Sequence, residues 1–140
     1  MTMAKKGGPE VLSVGALTFC YEKAHEFVYQ YEKKVSSKEM AKGIIVEPQS
    51  IELYNEVFSA NYTKNTERIN NAWLSGECDI DTSGKIIDIK SSWSKATFPS
   101  LAERADTDDY EWQGRGYMML WGRPLFDIAY CLVTTPEHLI

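Results

Sequence analysis

Apolar residues first recur at helical spacing between Ser13 and about Lys34, where Leu17, Tyr21, Ala24, Phe27 or Val28, and Tyr31 form one stripe behind a capping serine. A break at Val35-Ser36-Ser37 precedes a second helix, from about Lys38 to Phe58, whose apolar positions are Met40, Ile44, Ile51, Tyr54 and Phe58. Pro48 lies inside it and is expected to kink it or to mark where two helical pieces meet. Residues 59 to 71 are polar and poorly patterned, with room for a short edge strand near Glu67 to Ile69. From about 72 to 90 the period changes to two, the mark of a hairpin. A polar connection with Pro99 follows, read as a loop with a short helix. Tyr110 to Trp121 then reads as a helix stopped by Gly122, and Leu125 to Thr134 as a β-branched and aromatic strand. Residues 1 to 12 read as a flexible N-terminal stretch, and 13 to 140 as one domain. Helices, a hairpin, a helix and a returning strand predict an α/β (α+β) fold, a small mixed sheet flanked by helices.

The hairpin carries the chemistry. With Ser83-Gly84 as its turn, Thr82 pairs with Lys85, Asp81 with Ile86 and Ile80 with Ile87, so Asp79 stands opposite Asp88. Directly opposed residues have Cβ atoms about 5 Å apart. Alternation puts Asp88 and Lys90 on one face, with Asp79 beside them, while Ile80, Ile87 and Ile89 point to the other. Cys78 should face the core by the same parity. Two carboxylates so close repel unless a proton or a cation lies between them, and a divalent metal flanked by a lysine answers that economically. The backbone carbonyl of Ile89, a hard oxygen donor, could join such a site. Solvated acidic hairpins are also common, and Glu77, opposite Lys90, can simply pair with it. Glu47, after the apolar run Gly43-Ile-Ile-Val, is equally a candidate for the cluster and a solvated glutamate.

Composition narrows the classes. The 140 residues, 44% hydrophobic with four tryptophans, suit one folded domain with a real core. Three cysteines, Cys20, Cys78 and Cys131, lie far apart without a CxxC pair, so neither a zinc site nor a disulfide framework is indicated, and a reducing compartment is expected. No signal peptide and no membrane span is recognisable. His25 is a lone helical histidine, read as a surface or interfacial residue. A net charge of −5 is poor support for nucleic-acid binding, yet an acidic metal site with a local basic rim remains compatible with it.

Three separated segments together carry a resemblance. Met40-Ala-Lys-Gly43-Ile-Ile-Val-Glu47-Pro48-Gln-Ser-Ile-Glu-Leu-Tyr54, then Gly76-Glu-Cys-Asp79 through Asp88-Ile-Lys90, then Tyr110-Glu-Trp-Gln113-Gly-Arg-Gly-Tyr117 resemble in order and spacing the PD-(D/E)XK nuclease superfamily, in its YqaJ-like viral recombinase and lambda-type exonuclease branch. The resemblance implies a restriction-endonuclease-like core and a Mg²⁺- or Mn²⁺-dependent exonuclease acting on DNA duplex ends in phage-type recombination or repair. The alternatives are an endonuclease on the same fold or a non-catalytic domain that binds nucleic acid or a recombination partner. It implies that Asp79, Asp88, the Ile89 carbonyl and Glu47 hold the metal, that Lys90 is the catalytic lysine, and that Gln113 supports the site. It places Ser91, Arg115 and Tyr117 toward DNA. A single-strand annealing protein as partner, a homotrimeric ring and a cytoplasmic setting in a bacterium or phage-infected host follow from it too. Two departures stand out. Ser75-Gly-Glu-Cys-Asp79 lacks the lambda-type Ser-Pro-Asp-Gly and looks more like RecB-like nucleases, and the chain stops after Thr135-Pro-Glu-His-Leu-Ile140 where family members continue, as a compact variant or a fragment would.

Overall fold

A computed structural model of the chain describes residues 12–33, 37–105 and 107–140. The chain divides into two compact units, Met1–Ser36 and Ser37–Ile140. The expected flexible stretch of residues 1 to 12, except residue 12, and the break at 35–36 lie outside the described residues, whereas the first helix ends at Tyr29, short of the predicted end near Lys34. In the first unit, α1 spans Val14–Tyr29. The Ser13 hydroxyl accepts from the Ala16 N–H at 3.2 Å, as the capping pattern requires, and Gln30 closes the helix in the left-handed region. His25 lies against the rings of Tyr29 and Tyr31, an ordinary aromatic contact.

The second unit opens with α2, Lys38–Phe58, capped by Ser37, whose hydroxyl accepts from the Met40 N–H at 3.2 Å. α2 runs through Pro48 as one helix, so Pro48 does not mark a meeting of two helical pieces. A proline removes one helical hydrogen bond, to the carbonyl four residues earlier. That residue is the exposed Ile44, where water can take over the acceptor. Two short strands, β1 (Ile69–Asn70) and β2 (Ser75–Gly76), pair antiparallel. The main sheet has the order β3-β4-β5, with β3 at Ile80–Asp81, β4 at Lys85–Ser91 and β5 at Leu125–Cys131. The β3–β4 register is Ile80 to Ile87 and Asp81 to Ile86, as predicted. Its turn is closed by Thr82, whose hydroxyl accepts from Lys85 N–H at 2.9 Å and donates to Lys85 C=O at 2.7 Å. β5 returns parallel to β4, after α3 (Glu111–Trp121) has crossed the sheet. Gly122 ends α3 at φ 62°, the left-handed stop read from the sequence. No described helix is long and apolar enough to cross a membrane.

β4 is central and buried on both faces, as the apolar run Ile86-Ile87 allows. Ile80, Ile87 and Ile89 pack with Ile51 and Tyr54 of α2 and with Cys131. Ile86 packs on the opposite side with Cys78 and Trp121 of α3. The acidic face of the hairpin is therefore covered, not left polar. Gly114 lets α3 lie directly on β5, because a Cβ there would run into the Phe126 ring.

Lys42 ties the ends of the two parallel strands together. It is fully buried, and its ammonium donates to the carbonyls of Ser92 at 2.5 Å, Trp93 at 3.1 Å and Val133 at 3.0 Å. Burial pushes its pKa down, while three carbonyl dipoles take the place of its water shell. Lys42→Met strands those carbonyls but also removes a buried charge. A net loss of about 2 kcal/mol is expected in urea unfolding, and a loss under about 0.5 kcal/mol would show that the clamp contributes nothing.

Candidate active site

The centre of the candidate site is Asp88, midway along β4, with Lys90 two residues on and therefore on the same face. Asp88 is 2% exposed. Its Oδ2 lies 2.6 Å from Lys90 Nζ in a buried ion pair. Burial pushes the Asp88 carboxyl above the usual range; Lys90 pulls it back and Glu47 adds to the rise.

Asp79 reaches the site by leaving the ladder. Antiparallel pairing continued past Ile80 would hand the Ile89 N–H to the Cys78 carbonyl. The chain instead bends at Asp79, and the Asp79 Oδ2 accepts that N–H at 2.7 Å. Asn65 holds the bend: its amide side chain donates to Cys78 C=O at 3.0 Å and its backbone N–H to Asp79 C=O at 2.7 Å. This bend is also why Cys78, buried as expected, packs on the α3 side and not with Ile80. Burial, with the Asp88 and Glu47 carboxyls alongside, pushes Asp79 up to about 7 against the lowering effect of the Ile89 N–H. In extended geometry the Ile89 carbonyl points the same way as its N–H, toward Asp79 and away from β5.

Glu47 comes from α2. Its carboxylate pairs with Lys64, and it stands close enough to Asp79 to help raise that carboxyl. The structure thus brings Glu47, Asp79, Asp88 and Lys90 together, although among the described residues no three acidic, His or Cys side chains converge on one point as a ready-made metal cage. Lys64 and Lys90 are the cations beside these acids. The oxygens on offer are nevertheless hard donors suited to Mg²⁺ or Mn²⁺, and the buried Asp88 carboxylate, paired with Lys90, has lone pairs left for such an ion.

The remaining candidates separate. Gln113 Nε2 donates to the Tyr117 hydroxyl at 3.1 Å. Tyr117 stands edge-on to Trp121 and fills the space over Gly76, with its phenol pushed up chiefly by burial. Ser91 lies on the other face of β4, its hydroxyl 2.8 Å from that of Ser50 on α2. Arg115 is exposed, bonded to Glu111 at 2.7 and 2.9 Å and set over the Trp112 ring. Glu77 pairs with Arg68, not with Lys90. A cavity of about 960 Å³ opens elsewhere, between the end of α2, the 98–108 connection and β5, and none of Glu47, Asp79, Asp88 or Lys90 lines it.

Three participants carried no sequence signal of a role. Lys64 and Asn65 sit in the unpatterned polar segment. Tyr110, read as a helix start and the first residue of the third motif segment but given no role, has its ring 4.4 Å from Lys90 Nζ. All three act through contacts that no local period encodes.

No protein-family model and no curated protein matches the chain. Among solved structures, the chain is similar to a phage-related exonuclease from Haemophilus somnus 129PT, with a TM-score of 0.86 and 30% sequence identity over 99% of this chain. The chain spans 66% of the length of that one. The small mixed sheet flanked by helices, with Asp88 and Lys90 on the central strand, is a restriction-endonuclease-like core, and the chain accordingly has a PD-(D/E)XK-like nuclease fold.

Proposed function

We propose that this chain is a divalent-metal-dependent deoxyribonuclease that hydrolyses phosphodiester bonds from duplex ends. The observation that carries the reading is the buried Asp88–Lys90 pair beside Asp79, in a fold similar to that of a phage-related exonuclease. Asp79, Asp88 and the Ile89 carbonyl would hold Mg²⁺ or Mn²⁺, with Glu47 completing the set directly or through water. Bound there, such an ion supplies Lewis acidity toward the phosphate and makes water a better nucleophile at neutral pH.

The protein's own groups do the rest. Lys90 places a positive charge where negative charge develops on the phosphate, a stabilisation strongest in a site that excludes water. Burial around Asp79 and Asp88 raises their affinity for any positive species, since each carboxylate has lost its hydration. Lys64 orients Glu47 through their ion pair. Gln113 and Tyr117 brace the site from α3. Arg115, exposed and planar, is suited to the phosphate backbone of a bound duplex.

End-labelled linear duplex and covalently closed circular DNA, each with Mg²⁺ or Mn²⁺, test the reading. Loss of the linear substrate alone is expected. Nicking of the circle would identify an endonuclease on the same scaffold, and inertness toward both with either metal would leave a binding domain.

A further inference from the structure

Lys90 carries its charge on a flexible stem, yet the reaction proposed above needs that charge at one place. Its ion pair with Asp88 is one restraint, at 2.6 Å. The other is aromatic: the Lys90 ammonium lies 4.4 Å from the centroid of the Tyr110 ring. A cation within about 6 Å of a ring centroid is drawn to the negative face of its π system. We propose that Tyr110 is a positioning residue whose ring face holds the Lys90 ammonium at the acid pair. The inference rests on the catalytic role proposed for Lys90.

The backbone sets the ring. Tyr110 ends the short turn Asp108–Tyr110, with its N–H bonded to Thr107 C=O at 3.1 Å, and stands immediately before α3. Its place is thus fixed by the same helix that carries Gln113 and Tyr117. Among the described residues its hydroxyl makes no hydrogen bond, so the ring face is the part that acts. The two restraints also differ in kind. A cation taken up by Asp88 competes with Lys90 for that carboxylate, whereas the ring is neutral and keeps its attraction. Tyr110 is therefore the restraint that persists when the carboxylate is engaged.

The test separates the π face from both the hydroxyl and the bulk. Reductive ¹³C-methylation of the metal-free protein keeps each lysine cationic and gives it an NMR signal, and a Lys90→Arg spectrum assigns the one from Lys90. An upfield, ring-current-shifted Lys90 signal is expected in the unaltered chain and in Tyr110→Phe, and an ordinary one in Tyr110→Leu. On linear duplex, unmethylated Tyr110→Leu should lower kcat about tenfold with KM changed less than about twofold, while Tyr110→Phe keeps kcat within about threefold. A Lys90 signal unshifted in the unaltered chain overturns the contact, and this decides the matter even if Tyr110→Leu fails to fold. Tyr110→Phe as slow as Tyr110→Leu overturns the π-face role. An unaltered chain that shows the shift but cuts no DNA overturns the nuclease reading instead.

Discussion

Lys90→Ala is expected to cleave linear duplex at least about a thousandfold more slowly than the unaltered chain while still binding Mn²⁺ within about fivefold at pH 8. Asp88→Asn should lose both, with Mn²⁺ affinity down by at least about a hundredfold, since removing groups that merely orient metal ligands already costs about 10- to 100-fold. The pH matters to the comparison. Lys90 is the group that pulls the buried Asp88 carboxyl back toward its ordinary range, so its removal lets that carboxyl hold a proton more tightly. At neutral pH that proton competes with the metal, and Lys90→Ala would mimic a lost ligand. Raising the pH removes the proton and leaves only the missing charge on the phosphate. Calorimetric Mn²⁺ titration of both variants beside single-turnover cleavage separates the roles. Equal Mn²⁺ binding by Asp88→Asn and the unaltered chain would remove Asp88 from the metal site.

Where a contact follows from strand period or turn chemistry, the sequence alone reached it. The β3–β4 register is of this kind: alternation of Ile86, Asp88 and Lys90 against Ile87 and Ile89, with a short polar turn, leaves one pairing that buries Ile80 against Ile87. The boundaries of α2 and α3 were legible for a similar reason, from Ser37 at one end and Gly122 at the other. What escaped is non-local. Extrapolating the ladder places Asp79 opposite Asp88, but Asn65, 14 residues upstream, takes the Cys78 carbonyl on which that ladder would have run. Covering of the acidic face by Trp121 depends on how α3 lies over the sheet, which the close approach at Gly114 decides. Lys42 read as one more polar residue within a helical motif. Its burial depends on two carbonyls about 50 residues away and a third 91 residues away. Pro48 shows the converse, a strong local rule overruled because the acceptor it frees lies at the exposed Ile44.

In EDTA, the folded second unit should lose stability as the pH rises from about 4 to about 8, the reverse of what paired surface carboxylates produce. The Asp79 carboxyl stands at about 7 in the folded chain, against about 3.9 unfolded. Between those values the folded state binds more protons than the unfolded one, so stability falls with pH. The contribution of the bound proton is complete below about pH 4 and is lost as the pH passes through about 7. Three pKa units bound the effect at about 4 kcal/mol, and water reaching the half-buried carboxyl reduces it. Asp88, also raised by burial, acts in the same sense. Asp79→Asn is the discriminating variant, because its amide oxygen can still accept the Ile89 N–H while carrying no charge. It should equal the unaltered chain below about pH 4 and exceed it by a growing margin above that, most at pH 8, where Asp79 is ionised. Mn²⁺ at about a hundred times its dissociation constant should return about 2.7 kcal/mol to the unaltered chain at pH 8 and little to Asp79→Asn. Urea unfolding at half-unit steps, with and without the metal, reads all three effects. A stability that is flat or rising between pH 5 and 8 in EDTA would mean that Asp79 ionises without penalty. A cation would then have no uncompensated charge there to neutralise.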